Sequence, residues 1–338
     1  MASRSPVSAA PAAAASLAPG VLISSASRKV PLLKAVRTAL DAQAPKGKVY
    51  AGDTDANCVA AALAEGFWHM PRLNDIDTRA IVDWCRQHAV GAVIPTRDGE
   101  LPIWAAARAE LSSAGVHVMV SPRECLVRCV DKLQFAEFAA AAGFQSIPTA
   151  GSPDELPRVL RFVVKERFGA GARNQALDVD RATASDAAAR LEQPVFQPFI
   201  GGVEISADAY VAASGLCIGV VLRTRDVIVA GESQVTTTVR DERLEAIVGA
   251  LAERLGVYGH CVIQVIVDPA GQPWLLECNA RFGGASTLAI AAGLDSFGWF
   301  LRECRGDIPT AADFRRNPGR LRQVRYPADL VSRLEEGK

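Results

Sequence analysis

The sequence has no excess of charge: Lys and Arg number 37, and Asp and Glu also number 37, in 338 residues. Without a basic balance it lacks the general electrostatic footprint of a nucleic-acid or polyanion binder. It lacks a CxxC pair. Its 8 Cys stand apart at 58, 85, 125, 129, 217, 261, 278 and 304, and Cys125 and Cys129 share helical spacing with no His nearby. That argues against a metal cluster or a disulfide framework and for reduced, mostly buried thiols, hence a cytoplasmic setting. No stretch is long and apolar enough to span a membrane, so no membrane partner is expected. Residues 1–20 have Leu17 as their only large aliphatic after Val7. A signal peptide needs an apolar core of about 7–15 residues, so a disordered Ala/Pro-rich tail is expected instead. Walker A, GxGxxG and GxSxG motifs are missing, and Ser24-Ser25-Ala26-Ser27 is not a dinucleotide fingerprint. His69, His88, His117 and His260 accompany no Ser or Cys nucleophile motif, which leaves a triad hydrolase without support. They read as surface or satisfied core groups, and Trp68, Trp84 and Trp104 read as packing.

What is present is an apolar content of 49%, enough for a sizeable core, in a chain long enough for two or three packed units. Strand-like runs at Val21–Ser24, Lys48–Ala51, Ala92–Pro95 and His117–Val120 alternate with helical patterns at Val30–Leu40, 77–88 and 101–114. Such alternation predicts a parallel sheet covered on both faces, so residues 21–120 form one small α/β domain. A helix opened or continued by Asp131-Lys132 ends at Gly143. Strand Phe162–Lys165, a helix near 182–192 and strand Val195–Phe199 follow. Residues 203–240 read as antiparallel strands with turns at Gly215 and Gly231, before a helix at Leu244–Leu255. Val262–Val267 and Pro273–Cys278 flank Asp268-Pro269-Ala270-Gly271, a hairpin signal. A last helix covers about 296–304. The polar, Arg-rich end from Asp307 yields no assignment.

The hairpin carries the most chemistry. With its turn centred on Ala270-Gly271, Gln264 lies opposite Glu277, and opposed residues share a face. Alternation adds Asn279 and Arg281 to that face and sends Val265, Leu276 and Cys278 to the other. One carboxylate and two amide oxygens suit Mg²⁺, and an adjacent Arg suits a phosphate or carboxylate. An ordinary solvated strand face is the competing reading. Lys165, at the end of an apolar strand, precedes Gly169 and Gly171, whose small size lets backbone lie over phosphates; a plain Gly-rich hairpin is the alternative. Gln197-Pro198-Phe199-Ile200, turning at two glycines toward Glu204, can hold an adenine and a ribose, or be a simple strand-turn.

Taken in order, these pieces resemble the ATP-grasp superfamily, and within it the carbamoyl-phosphate-synthetase-like branch, over about 21–305. The resemblance implies an ATP-grasp fold preceded by a small parallel-sheet, Rossmann-like (pre-ATP-grasp) domain. The expected units are the N-terminal domain at 21–120, a small ATP-grasp subdomain at 121–195, a C-terminal subdomain at 196–310 and an extension at 311–338. Asp131-Lys132-Leu133-Gln134-Phe135 resembles the start of the small subdomain, whose Lys or Arg contacts phosphate. Val163-Val164-Lys165 with Gly169-Ala170-Gly171 resembles the nucleotide-binding Lys and glycine-rich flap. Gln197, Pro198, Phe199 and Ile200 resemble the adenine hinge, although a Glu usually opens it, and Glu204 falls on the ribose-binding position. Gln264, Glu277 and Asn279 fall on metal-ligand positions, Gln at the first being the form of this branch. Arg281 resembles the Arg that faces phosphate or substrate.

The resemblance implies ATP and Mg²⁺, with Mn²⁺ as a substitute, and small-molecule carboxylate and amine substrates. A homodimer is compatible with it. The implied reaction forms an acyl phosphate and then an amide, with Lys132, Lys165, Arg281 and the metal neutralising charge and a flap at 166–173 excluding water. Arg223, and with it Arg225, is a further candidate for gripping substrate or phosphate from a strand facing the cleft; a solvated strand face is the alternative. Competing functions are a non-catalytic nucleotide-binding or regulatory module, and a carboxylase or kinase-like member of the same superfamily. Substrate specificity is expected around Ser25 to Arg28, Asp53 and, above all, Thr96-Arg97-Asp98-Gly99-Glu100.

Overall fold

A computed structural model describes residues 20–169 and 175–331. Residues 1–19 of the expected tail, Gly171 of the expected flap and residues 332–338 lie outside them. The first unit is a five-stranded parallel sheet of β1 (Gly20–Ser24), β2 (Val49–Asp53), β3 (Gly66–His69), β4 (Val90–Pro95) and β5 (His117–Val118). Its order is β3-β2-β1-β4-β5. Along β1, Val21 and Ile23 pack toward α1 (Val30–Gln43), while Leu22 packs toward α2 (Thr78–Gln87) and α3 (Leu101–Ser113). Both faces are buried, which is why β1 and β4 read as unbroken apolar runs. The strand order reverses between β1 and β4. Their carboxyl ends therefore open a crevice at Ser25 and Arg97-Asp98, where open α/β sheets bind ligands.

Two short helices follow, α4 (Arg123–Val130) and α5 (Lys132–Ala141). Asp131 caps α5, accepting from the amides of Leu133 and Gln134. A three-stranded sheet comes next, ordered β7-β6-β8, from β6 (Phe162–Glu166), β7 (Ala176–Val179) and β8 (Pro194–Pro198). One helix, α6 (Arg181–Ala188), covers it through Phe162, Val164, Ala184 and Phe196.

The larger antiparallel sheet comprises β9 (Val203–Val211), β10 (Cys217–Val229), β11 (Glu232–Val239), β12 (Gly259–Val267), β13 (Pro273–Asn279) and β14 (Arg322–Val324). Its order is β13-β12-β9-β10-β11-β14. One face, with Ala207, Leu222, Ile263 and Val265, joins a core with α7 (Glu242–Leu255), which Gly256 ends at φ +75°. The other face is polar near the site. Register places Ser206 beside both Gln264 and Arg223, and Gln264 beside Glu277. Beyond β13 come α8 (Thr287–Ala291) and α9 (Ser296–Glu303), the latter packed on α1 of the first unit. No helix among the described residues is long and apolar enough to cross a membrane.

Two expectations need correction. The hairpin turn spans Asp268–Gln272, with Val267 paired to Pro273, so it centres half a residue earlier than expected. A bulge at Leu276 restores the count and brings Gln264 opposite Glu277. In consequence Leu275, not Leu276, shares the buried side with Cys278. The unassigned polar end supplies an edge strand: β14 pairs with β11, Val324 beside Val235. The strands β3, β7 and β14 and the helices at Arg123–Val130 and Thr287–Ala291 add to the elements read from sequence.

Candidate active site

The oxygen-bearing face of the hairpin is built from both its strands. Glu277 and Asn279 are linked, the Asn279 Nδ2 donating to Glu277 Oε1 at 3.2 Å. Arg281 donates through Nη2 to Asn279 Oδ1 at 3.1 Å and through Nη1 to the Phe282 carbonyl at 3.0 Å. Its main partner comes from the N-terminal unit. Nε donates to Asp98 Oδ1 at 2.7 Å and Nη2 to Asp98 Oδ2, a bidentate pair across 183 residues. Thus Arg281, expected on phosphate or substrate, is held by a carboxylate at the crevice of the parallel sheet. Gln264 donates from Nε2 to Glu204 Oε1 at 2.7 Å, which directs its own carbonyl elsewhere. Glu204 also pairs with Arg225, which is fixed by Ser233 Oγ and the Gly231 carbonyl. The expected ribose acid is therefore tied to two side chains, and Arg225 is structural to it.

The two lysines enter from the opposite side. Lys132 is buried at the start of α5 and donates from Nζ to the Gly169 carbonyl at 2.9 Å. Gly169 itself is at φ +102°, a conformation that favours glycine. The capping Asp131 does second duty: Arg167 donates to both its oxygens, at 2.8 and 2.6 Å, anchoring the root of the flap. Sequence reading missed Arg167, whose value depends on that fold-made pair. Lys165 is half-buried at the end of β6. Burial pushes its ammonium down to about 8, with Lys132 adding to the shift and Glu277 and Glu204 opposing it. A cavity of about 230 Å³ opens between these groups, lined among others by Asp98, Lys132, Gly169, Glu277 and Asn279.

At the hinge, Gln197 is buried and donates to Thr149 Oγ1 at 2.7 Å. The Phe199 amide already donates to the Arg161 carbonyl at 2.8 Å, although its ring is exposed. Pro198 and Phe199 therefore turn at the end of the small sheet, with Ile200 following into the loop before β9.

Arg223 is neither solvated nor free. It is 3% exposed and donates from Nε to Asp208 Oδ2 at 2.7 Å. Asp208 is wholly buried and also accepts from His260 Nε2 at 3.0 Å and from Ser286 Oγ. Arg223 and His260 hold its carboxyl far below the usual carboxylate range against the cost of burial. Desolvation lowers the pKa of His260, and a neutral ring donating to Asp208 accepts at Nδ1 from Ser296 Oγ, 2.9 Å away. His260 stacks on Phe282 at 4.0 Å, and Ser286 Oγ accepts from the Gly283 amide at 2.9 Å. The hub therefore sets the loop that follows Arg281. Asp208 had no signal in the sequence beyond an acid in an apolar strand.

The N-terminal cluster divides by role. Glu100 is buried and accepts from Ser24 Oγ, the amides of Thr96 and Arg97, and Trp104 Nε1, so it fastens β1, β4 and α3 together. Asp98 alone of that group reaches Arg281. Lys29 donates to the Ser25 carbonyl, and Asp53 accepts from the Ser27 amide, with Ser25 and Ser27 at φ +50° and +40°.

Two family descriptions match the chain. Residues 21–119 match "PylC-like, N-terminal domain", and residues 190–326 match "ATP-grasp in the biosynthetic pathway with Ter operon". No curated protein gives a significant match. Among solved structures, a biotin carboxylase from Campylobacter jejuni in complex with β,γ-ATP superposes with a TM-score of 0.70 at 13% identity, covering 89% of this chain and 74% of that one. The biotin carboxylase domain of Hydrogenobacter thermophilus 2-oxoglutarate carboxylase, a dimer with MgADP, ADP and bicarbonate, gives 0.68 at 17%, covering 89% and 73%. An L-amino acid ligase from Bacillus licheniformis gives 0.64 at 17%, covering 88% and 77%. At these identities the structures agree in fold.

Proposed function

Because the chain belongs to the ATP-grasp superfamily, we propose that it is an ATP-dependent ligase that activates a carboxylate as an acyl phosphate and joins it to an amine or amino acid. The observation that carries this reading is one cavity lined by Lys132, Glu277, Asn279 and Asp98, with Arg281 bonded to Asp98 and Lys165 within the influence of the Glu277 and Lys132 charges. The residue types suit Mg²⁺: Glu277 and Asn279 bring hard oxygens to one sheet face, and Gln264 would join them by turning its amide away from Glu204. The half-buried Lys165 ammonium, its pKa lowered by burial, fits a phosphate, whose negative charge would raise that pKa again. The Gln at 264 supports the carbamoyl-phosphate-synthetase-like branch.

Bound Mg·ATP would supply a transferable phosphoryl group and neutralise charge on it. The protein's own part is positioning and electrostatics. Lys132 and Lys165 present ammonium groups from the small subdomain. Arg281, aimed by Asp98 and Asn279, orients the attacking carboxylate. A carboxylate oxygen attacks the γ-phosphorus and ADP leaves. The amine then attacks the acyl carbon, phosphate departs, and the ammonium proton is released. Arg167 on Asp131 holds the segment that follows Lys165 in place.

An ADP-release screen over pairs of carboxylates and amines, with bicarbonate among the acids, tests the proposal. At least one organic acid and amine pair should release ADP and phosphate, and Glu277→Ala should abolish release. Release with bicarbonate alone would assign a carboxylase instead. Tight Mg·ATP binding with no release by any pair would leave a non-catalytic module.

A further inference from the structure

Four of the cysteines meet behind the candidate site. Cys125 and Cys129 lie one turn apart on α4, their sulfurs 3.8 Å from each other. The helix packs on β13, where Cys129 meets the Cys278 thiol. Cys278 pairs with Ile263 of β12, and Cys261 lies two residues before Ile263, so both thiols point to one face of the sheet. All four belong to one core. They are not arranged to hold a metal ion.

This thiol group is not sealed off. Cys129 and Cys278 line the same cavity as Lys132, Glu277 and Asn279. Cys129 is 8% exposed, and the other three at most 3%. The cavity of about 230 Å³ admits a peroxide, a molecule little larger than a water at about 30 Å³. Hydrogen bonds from Cys125 and from Cys278 hold the Cys129 thiol below the usual range against the cost of burial. That raises its share of the reactive thiolate.

Geometry also selects the partner. Residues four apart on a helix keep their Cβ atoms about 5–6 Å apart. A disulfide needs about 3.5–4.5 Å, so Cys125 cannot bridge to Cys129 without unwinding α4. Cys278 stands on a separate element and carries no such constraint.

We propose that Cys129 is a peroxide-reactive site whose oxidation closes a disulfide to Cys278 and thereby shuts the cavity to nucleotide. The Cys129 sulfur attacks the O–O bond of hydrogen peroxide. An S–O bond forms, the O–O bond breaks, and hydroxide leaves as water, so Cys129 becomes a sulfenic acid and the peroxide is reduced. The Cys278 sulfur then attacks the Cys129 sulfur. The S–S bond forms, the S–O bond breaks, and water leaves with the Cys278 proton. In sum two thiols and one peroxide give one disulfide and two waters. The two sulfurs end about 2.0 Å apart. The bond joins α4, three residues before Lys132, to the residue between Glu277 and Asn279, so it draws opposite walls of the cavity together. The bond rests on the thiols and the cavity alone; its effect on nucleotide rests on the ATP-dependent reading above.

Full-length reduced protein is treated with hydrogen peroxide in slight excess, its remaining thiols are alkylated, and the products are mapped by mass spectrometry. Calorimetry measures affinity for Mg²⁺ with the imido analogue of ATP before oxidation, after it, and after dithiothreitol. Cys217, half-buried, is the most exposed of the eight cysteines, so chemistry governed by exposure alone would mark it first. Instead Cys129–Cys278 should be the first product, with affinity reduced at least about tenfold and restored to within about twofold by dithiothreitol. Cys278→Ser should abolish the loss that dithiothreitol reverses, and Cys125→Ser should still form the bond. The wild-type map stands even if a variant fails to fold. The proposal is overturned if Cys217 reacts before Cys129, if the bond formed is Cys125–Cys129, or if the reduced protein binds nucleotide and the Cys129–Cys278 form binds it equally well. Formation of Cys129–Cys278 in a protein that binds no nucleotide even when reduced would retain the thiol site and sink the ATP reading. Nucleotide binding with Cys129 unreacted would do the reverse.

Discussion

Lys165→Met should make the empty protein more stable while it destroys nucleotide binding. Burial holds the Lys165 ammonium at about 8 against an ordinary 10.5, with no carboxylate bonded to it among the described residues. At about 1.4 kcal/mol per pH unit, keeping that charge in the cleft costs the folded state about 3 kcal/mol at neutral pH. Methionine has similar length and no charge to desolvate. Partial solvent contact of Lys165 screens some of the cost, so a gain of about 1–2 kcal/mol is expected at pH 7. The pH dependence has a definite sign. Below pH 8 the lysine is protonated in both states and the cost is complete. Between about 8 and 10.5 the folded protein loses the proton first, so the cost fades and wild type gains on the variant. Urea unfolding at pH 7 and pH 10, with and without Mg·ATP, measures each part. Stabilisation by ligand should vanish in the variant, and wild-type binding should weaken as pH rises past 8. The reasoning is refuted if Lys165→Met destabilises the empty protein by more than about 1 kcal/mol at pH 7, or if Mg·ATP still stabilises it fully.

Other outcomes follow from the same contacts. Asp98→Asn removes the charge that aims Arg281 and should lower kcat ten- to hundredfold with KM for ATP within threefold; an unchanged kcat would make the pair merely architectural. Asp208→Asn leaves the Arg223 charge buried without its partner and should cost about 3–5 kcal/mol in urea; a loss below about 1 would contradict the hub. Burial keeps His260 neutral, so the unfolded chain takes up its proton first and stability falls as pH drops below about 6.5. In His260→Gln the proton uptake on unfolding at pH 5 should fall, and an identical acid slope would show that the ring is not the titrating group.

The parts of the fold that were legible are those where period and burial coincide. The β1 and β4 runs are buried on both faces, and the helices between them carry one apolar stripe, so the parallel domain could be read directly. Gln264 beside Glu277 could be read as well, though the turn offset and the Leu276 bulge cancel only by chance of count. Short strands such as β7, with a half-exposed pattern, leave too weak an alternation to find. Pairings made by tertiary approach were out of reach. Nothing local marks Asp98 as the partner of Arg281, or Arg325 as a neighbour of Gly284, because each pair is joined only when distant segments fold back. Arg223 shows the opposite limit: its strand position was readable, but its burial against Asp208 was not.

The three residues of β14 also do something for solubility. They cap β11, whose outer backbone groups would otherwise present an open edge to any extended chain. The Phe314 ring, seated on Gly219, pins the segment that leads to them. A version cut before Thr310 to remove the polar tail would bare that edge, and strand exchange between copies would become its easiest route to self-association. Tags and fusions are therefore better tolerated beyond Val331 than within the tail.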